Sequence, residues 1–140
     1  MVVENLIITQ FVNTINNVYQ DIPLPCYVMI GSPLYTKGES LYIQILGKAQ
    51  MQRKYIRGKF SGVLPFALYY RMSETEIDGI EAKMLIPSES LEVYLIDRKY
   101  DFTGFKINKI EQTKGGSPFS RSESGTIIYQ SLWQIEFEVK

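Results

Sequence analysis

From Thr126 to Val139 the chain alternates. Ile127, Tyr129, Trp133, Ile135, Phe137 and Val139 fall on one side, and Thr126, Gln130, Gln134, Glu136 and Glu138 fill most of the other. A repeat of two residues matches the side-chain period of a β-strand and no helical period. Such a strand buries one face and turns the other to solvent or a partner. Ser131 and Leu132 are the two exceptions. One strand of this kind cannot bury its apolar side alone, so a sheet must form around it.

The remaining pattern supplies that sheet. Residues 2–19 carry Val3, Leu6, Ile7, Phe11, Ile15, Val18 and Tyr19 at helical spacing, with Glu4, Asn5, Gln10, Asn13 and Asn17 opposite. This predicts an amphipathic helix. Pro23 and Pro25 end it, because proline lacks an amide donor and pushes its predecessor toward extended geometry. Residues 26–31 read as a short strand, and 41–47 and 55–71 as two long strands rich in Tyr, Ile, Leu and Phe. Residues 63–70 are apolar on both sides apart from Pro65, so both faces of that strand are expected to be covered. Ser73-Glu74-Thr75-Glu76 fits a capping box. A helical pair broken at Pro87 is expected over 74–98, followed by a strand at 103–113 and a Gly/Ser loop at 114–125. The expected fold is α+β: a single-domain sandwich over 1–140, with a mostly antiparallel sheet and helices packed on one face.

Composition narrows the chemistry. The 140 residues contain no histidine and one cysteine. A Ser-His-Asp triad, a Cys-His dyad, an imidazole metal site, an internal disulfide and a thiolate zinc site are thereby closed. Cys26 reads as a small core residue. Hydrophobic residues make up 45%, enough for a packed core. No export signal is visible, and no stretch reaches the roughly 18 apolar residues of a membrane helix.

Fifteen basic residues balance fifteen acidic ones, and the neutral total hides a segregation. Residues 40–73 hold Lys48, Arg53, Lys54, Arg57, Lys59 and Arg71 and no acid. Residues 74–97 hold Glu74, Glu76, Asp78, Glu81, Glu89, Glu92 and Asp97 against Lys83 alone. The blocks are therefore +6 and −6, and residues 1–39 at −2 and 98–140 at +2 restore the zero total. Two readings stand: an acidic helix beside a basic strand pair in one molecule, or a basic face that meets the acidic face of a neighbour.

The basic block forms a ribbon, expected as a hairpin projecting at about 47–62. Strand alternation puts Arg53, Tyr55, Arg57 and Lys59 on one side. That stripe suits single-stranded nucleic acid, by phosphate contact and stacking, or an acidic protein surface. The matching acidic segment favours the protein.

No motif points to catalysis. There is no phosphate loop, no dinucleotide fingerprint and no Ser-x-x-Lys. Gly115-Gly116 follows Lys114 as in a phosphate nest, but no helix is expected to start there, and a Ser-rich turn is the simpler account. Glu74, Glu76 and Asp78 scatter around a helix start instead of gathering on a cation. No enzyme activity, cofactor or metal is expected.

The C-terminal third carries a resemblance. The strand Ile107-Asn108-Lys109-Ile110-Glu111-Gln112-Thr113 runs into the Gly/Ser loop with Pro118-Phe119. Glu123 and Gly125 follow, and then Ile128-Tyr129-Gln130-Ser131-Leu132-Trp133-Gln134-Ile135-Glu136-Phe137. This resembles the ending of the small tail-terminator proteins of long-tailed phages of Gram-positive hosts, often labelled minor capsid proteins. Pro87 departs from the family's pattern in the central helical region.

The resemblance implies a structural virion protein at the head-tail junction, assembled in the host cytoplasm. It implies a homohexameric ring on the last ring of the tail tube. The ring stops tube polymerisation and presents a surface to head-completion proteins. Its partners are further copies, the tube protein and a connector protein, with no membrane and no nucleic acid beyond DNA passing through the ring. Rings use heterologous contacts. Arg53, Arg57 and Lys59 of one protomer are expected to face Glu74, Glu76, Asp78 or Glu81 of the next, or an acidic tube protein. The loop with Lys114, Gly115, Gly116, Phe119 and Arg121 is a second expected contact, ordered by the partner. Two alternatives remain: another tail or neck component, such as a tube or head-tail joining protein, and a small single-stranded nucleic-acid-binding module.

Overall fold

The structure is a computed structural model and describes residues 3–19, 28–31, 40–54, 60–73, 95, 98–121 and 126–140. Helix α1 (Val3–Asn13) runs into a π-helical turn (Thr14–Val18) that ends with the Tyr19 amide donating to the Thr14 carbonyl at 3.0 Å. Seven strands follow: β1 (Val28–Ile30), β2 (Ser40–Ile45), β3 (Gln50–Lys54), β4 (Phe60–Ser73), β5 (Asp101–Phe102), β6 (Phe105–Arg121) and β7 (Thr126–Val139). They form one sheet in the order β1-β2-β4-β7-β6-β5, with β3 also paired to β4. Among the described strands only β1 and β2 pair in parallel; the other pairings are antiparallel.

The alternation has the expected consequence. On β7, Tyr129, Trp133, Ile135 and Phe137 are buried toward α1. They meet Leu64, Phe66, Leu68 and Tyr70 of β4, Leu41 and Ile43 of β2, and Ile7, Ile8, Phe11, Val12 and Ile15 of the helix. Strand β4 is central and apolar on both sides because both sides are covered. Its opposite face puts Ala67 and Tyr69 into a smaller cluster with Tyr42, Ile128 and Leu132.

The departures from the alternation, to which the buried Ile128 of the second cluster also belongs, therefore have reasons. Leu132 packs on the second cluster. Ser131 is buried on the α1 side, where its hydroxyl accepts a 2.9 Å hydrogen bond from the Trp133 indole N–H. Ser131→Ala leaves that buried donor unmet, so a loss of about 1–3 kcal/mol is expected. Urea unfolding checks this, and a change under about 0.5 kcal/mol refutes it.

Two further irregularities are built in by residue type. Strands β2 and β3 lie end to end along one side of β4, separated by a break at 46–49. Pro65 sits opposite the break, and its carbonyl accepts from the Leu46 amide at 3.1 Å. A strand residue points its N–H and C=O to the same side, so the donor that proline lacks falls where the ladder is already interrupted. At Gly62 a Cβ would lie 3.0 Å from the Gln50 carbonyl and 3.1 Å from the Phe137 ring. Glycine is what lets Phe137 cross the backbone there, between Phe60 and Phe105 at ring distances of 5.9 and 6.0 Å.

Two expectations change. Residues 114–121, read as part of a loop, continue β6, with Lys114 opposite Leu132 and Arg121 opposite Ile127. The long β7 supplies a ladder to which this stretch pairs, and register shifts along β6 absorb its glycines and Pro118. Residues 122–125 lie outside the described residues. The strand expected from 103 is instead a tight hairpin: β5, a turn at Gly104 with φ +86°, then β6. Glycine takes that φ without the strain of a Cβ. Among the described residues one short helix, α1, packs on a curled, half-barrel sheet. The expected pair over 74–98 lies outside them, apart from Leu95 and Arg98.

The basic ribbon is a hairpin, with Gln50–Lys54 paired to Phe60–Val63. Its return strand is also paired to β7, so this part belongs to the sheet rather than projecting from it. The tip, 55–59, lies outside the described residues.

Candidate protein-binding edge of the sheet

The curl is held by polar side chains of the helix. Asn16 is bonded twice to Val28 of β1: its Nδ2 donates to the carbonyl at 2.8 Å, and its Oδ1 accepts from the amide at 2.9 Å. Gln10 does the same at the β5–β6 turn, donating to the Thr103 carbonyl at 3.2 Å and accepting from its amide at 2.6 Å. Glu4 accepts from the Ala49 amide at 2.8 Å, in the break between β2 and β3. Strands β1 and β5 are opposite edges of the sheet. Laid flat, five interstrand steps would separate them by about 24 Å. Gln10 and Asn16 stand only about 9 Å apart along a helix axis. One helix reaches both edges only because the sheet bends round it.

The two edges differ. β1 is a three-residue edge strand with Met29 and Ile30 exposed. On the far side, β5 pairs with β6 only at Asp101–Lys106 and Phe102–Phe105. From Ile107 onward, no strand among the described residues pairs with the outer edge of β6.

The β5 ladder stops there because of Tyr100. This ring is buried among Phe11, Tyr19 and Phe102, at centroid distances of 5.7, 6.0 and 5.9 Å. Its hydroxyl donates to the Leu95 carbonyl at 2.6 Å. Burial, with Tyr19 nearby, pushes the phenol above its ordinary range despite Arg98, so it stays a neutral donor. The chain before Asp101 is thus drawn toward the core and away from β6. A cleft of about 460 Å³ opens between them, lined by Arg98, Lys99, Asp101, Lys106, Asn108 and Lys140 among others.

Four lining residues are cations and one is an acid. The Arg98 guanidinium lies 4.5 Å from the centre of the Tyr19 ring, whose hydroxyl donates to the Lys99 carbonyl. Lys140 Nζ donates to the Phe102 carbonyl at 3.1 Å and stands 3.6 Å from Asp101. Lys99 and Lys106 are exposed.

The residues singled out in the sequence are placed as follows. Arg53 lies in β3 opposite Ser61, just past a register shift. Arg57, Lys59, Glu74, Glu76, Asp78 and Glu81 lie outside the described residues. Lys114, Gly115, Gly116, Phe119 and Arg121 all lie on β6, the strand with the open edge, and Lys114 and Gly115 are exposed. The cleft residues drew no attention in the sequence, because 98–99, 106 and 140 meet only in space. Their single trace was the +2 balance of the last block. Among the described residues no group of three or more acidic or cysteine ligands could hold a metal ion. No helix among them is long and apolar enough to cross a membrane.

No protein-family model matches the sequence, and no curated protein matches it. The fold, however, is found in a virus-like particle. A chain from the virion of a native gene transfer agent particle superposes with a TM-score of 0.56 at 8% identity, over 98% of this chain and 95% of that one. The likeness is one of fold.

Proposed function

We propose that this chain is a structural virion protein of the tail-terminator type. In this reading six copies form a ring on the last ring of a tail tube, stop its growth and join it to the head. The observation that carries the reading is the shared fold with a virion chain over nearly the whole of both molecules. The resemblance at 107–137 adds to it, since those residues make up most of the paired strands β6 and β7.

Arg53, Arg57 and Lys59 of one protomer then face Glu74, Glu76, Asp78 or Glu81 of the next, which suits a heterologous ring contact. Strand β6, with Lys114, Gly115, Gly116, Phe119 and Arg121, is the second surface offered to a neighbour, the tube or a head-completion protein. The chain works by assembly and not by catalysis, at the head-tail junction of the virion.

Native mass spectrometry with and without tube protein tests this. Hexamers and tubes of arrested length are expected, and Arg57→Glu is expected to weaken the ring. A chain that stays monomeric and leaves tube length unchanged overturns the reading. Tubes that incorporate the chain along their length point instead to another tail component.

A further inference from the structure

We infer that the basic cleft beside β5 receives an extended acidic segment of a partner protein, which adds as a strand to the open edge of β6. The inference names a partner chemistry and uses the cleft end of β6, away from the 114–121 stretch assigned above, and it stands without that reading.

Three features of the site converge. The ladder between β5 and β6 ends at Asp101–Lys106, so among the described residues the outer backbone of β6 has no strand partner from Ile107 onward and can pair with an extended chain that reaches it. The cleft at this point, of about 460 Å³, carries Arg98, Lys99, Lys106 and Lys140 against Asp101. Arg98 and Lys140 are partly engaged within the molecule, so the exposed Lys99 and Lys106 are the cations presented to a ligand. On its other side, β6 already pairs with an acidic strand: Glu138 lies opposite Lys106, and Glu136 opposite Lys109. An incoming strand with carboxylates on alternate residues would repeat that arrangement across the open edge.

The same features favour a peptide over nucleic acid. A phosphate backbone would use the lysines alone and leave the alternating amides and carbonyls of β6 unmet. A β-strand satisfies both. One register shift lies at Ile107/Lys109, and Pro118 and the other three lie further along β6, so Lys109–Gln112 is the regular stretch of template nearest the cleft.

The test uses the full chain and three labelled probes: a peptide of about eight alternating Glu and Thr residues, the same peptide N-methylated on alternate amides, and an oligothymidylate. Fluorescence anisotropy is expected to show binding of the plain acidic peptide that weakens as salt rises. Lys99→Glu with Lys106→Glu should weaken it by about tenfold or more. The N-methylated peptide should lose about as much on the unaltered chain, a comparison that needs no variant to fold. Equal binding of the methylated peptide, or no effect of charge reversal in a variant with unchanged circular dichroism, overturns the inference. So does oligothymidylate binding tighter than the acidic peptide and sensitive to the same two lysines.

Discussion

Phe66→Ala is expected to destabilise the chain by about 3–5 kcal/mol, a large share of the total stability of a domain this size. Phe66 is buried on β4 and joins two layers. Its ring packs against Phe11 of α1 at 5.4 Å and stacks on Trp133 of β7 at 6.3 Å, tilted by 13°. Helix and sheet lose one of their shared contacts when it is removed, and neither neighbour can move into the space without leaving its own strand or helix position. Trp133 is the single tryptophan. Its emission therefore reports on this place, and it should shift to the red in the folded variant. Urea unfolding gives the free energy. A cost below about 1 kcal/mol would show that Phe66 is not the joint described here.

Asn16→Ala should cost less but be more local. One amide side chain serves both the N–H and the C=O of Val28, a fully buried residue on the edge strand. Alanine leaves both backbone groups without those partners, for an expected loss of about 2 kcal/mol. Hydrogen exchange at the Val28 amide should quicken well beyond any change in the centre of β4, because among the described strands β1 pairs with β2 alone. Asn16→Asp keeps the acceptor and removes the donor, so it should protect the Val28 amide better than alanine does. Uniform acceleration across the sheet would contradict the role of Asn16 as a clasp on one edge.

Both residues illustrate what a sequence pattern conveys. Phe66 stands in an apolar run whose two-sided burial was legible, because a central strand needs apolar residues on both faces. Gln10 and Glu4 lie on the polar side of a helical wheel, where the natural expectation is solvent. Gln10 instead reaches a turn 93 residues away. Helical periodicity identifies the side that faces the core but does not show which polar groups meet distant backbone.

The loop expected at 114–125 was misplaced for a related reason. Glycines, serines and Pro118 argue locally against a strand. Pairing to β7 outweighs that preference as far as Arg121, and an edge strand tolerates a missing donor on its open side. The cleft is less legible still, since its cations come from 98–99, 106 and 140, and what opens it is the inward turn of Tyr100.

By itself, then, the sequence determined helix α1, the long strands β4 and β7 and the faces they bury, because side-chain period is a local property of the backbone. The tertiary structure alone decided the curl of the sheet, the length of β6 and the open basic edge. Those depend on which strands become neighbours and where a ladder stops, and no residue carries that information without its partner.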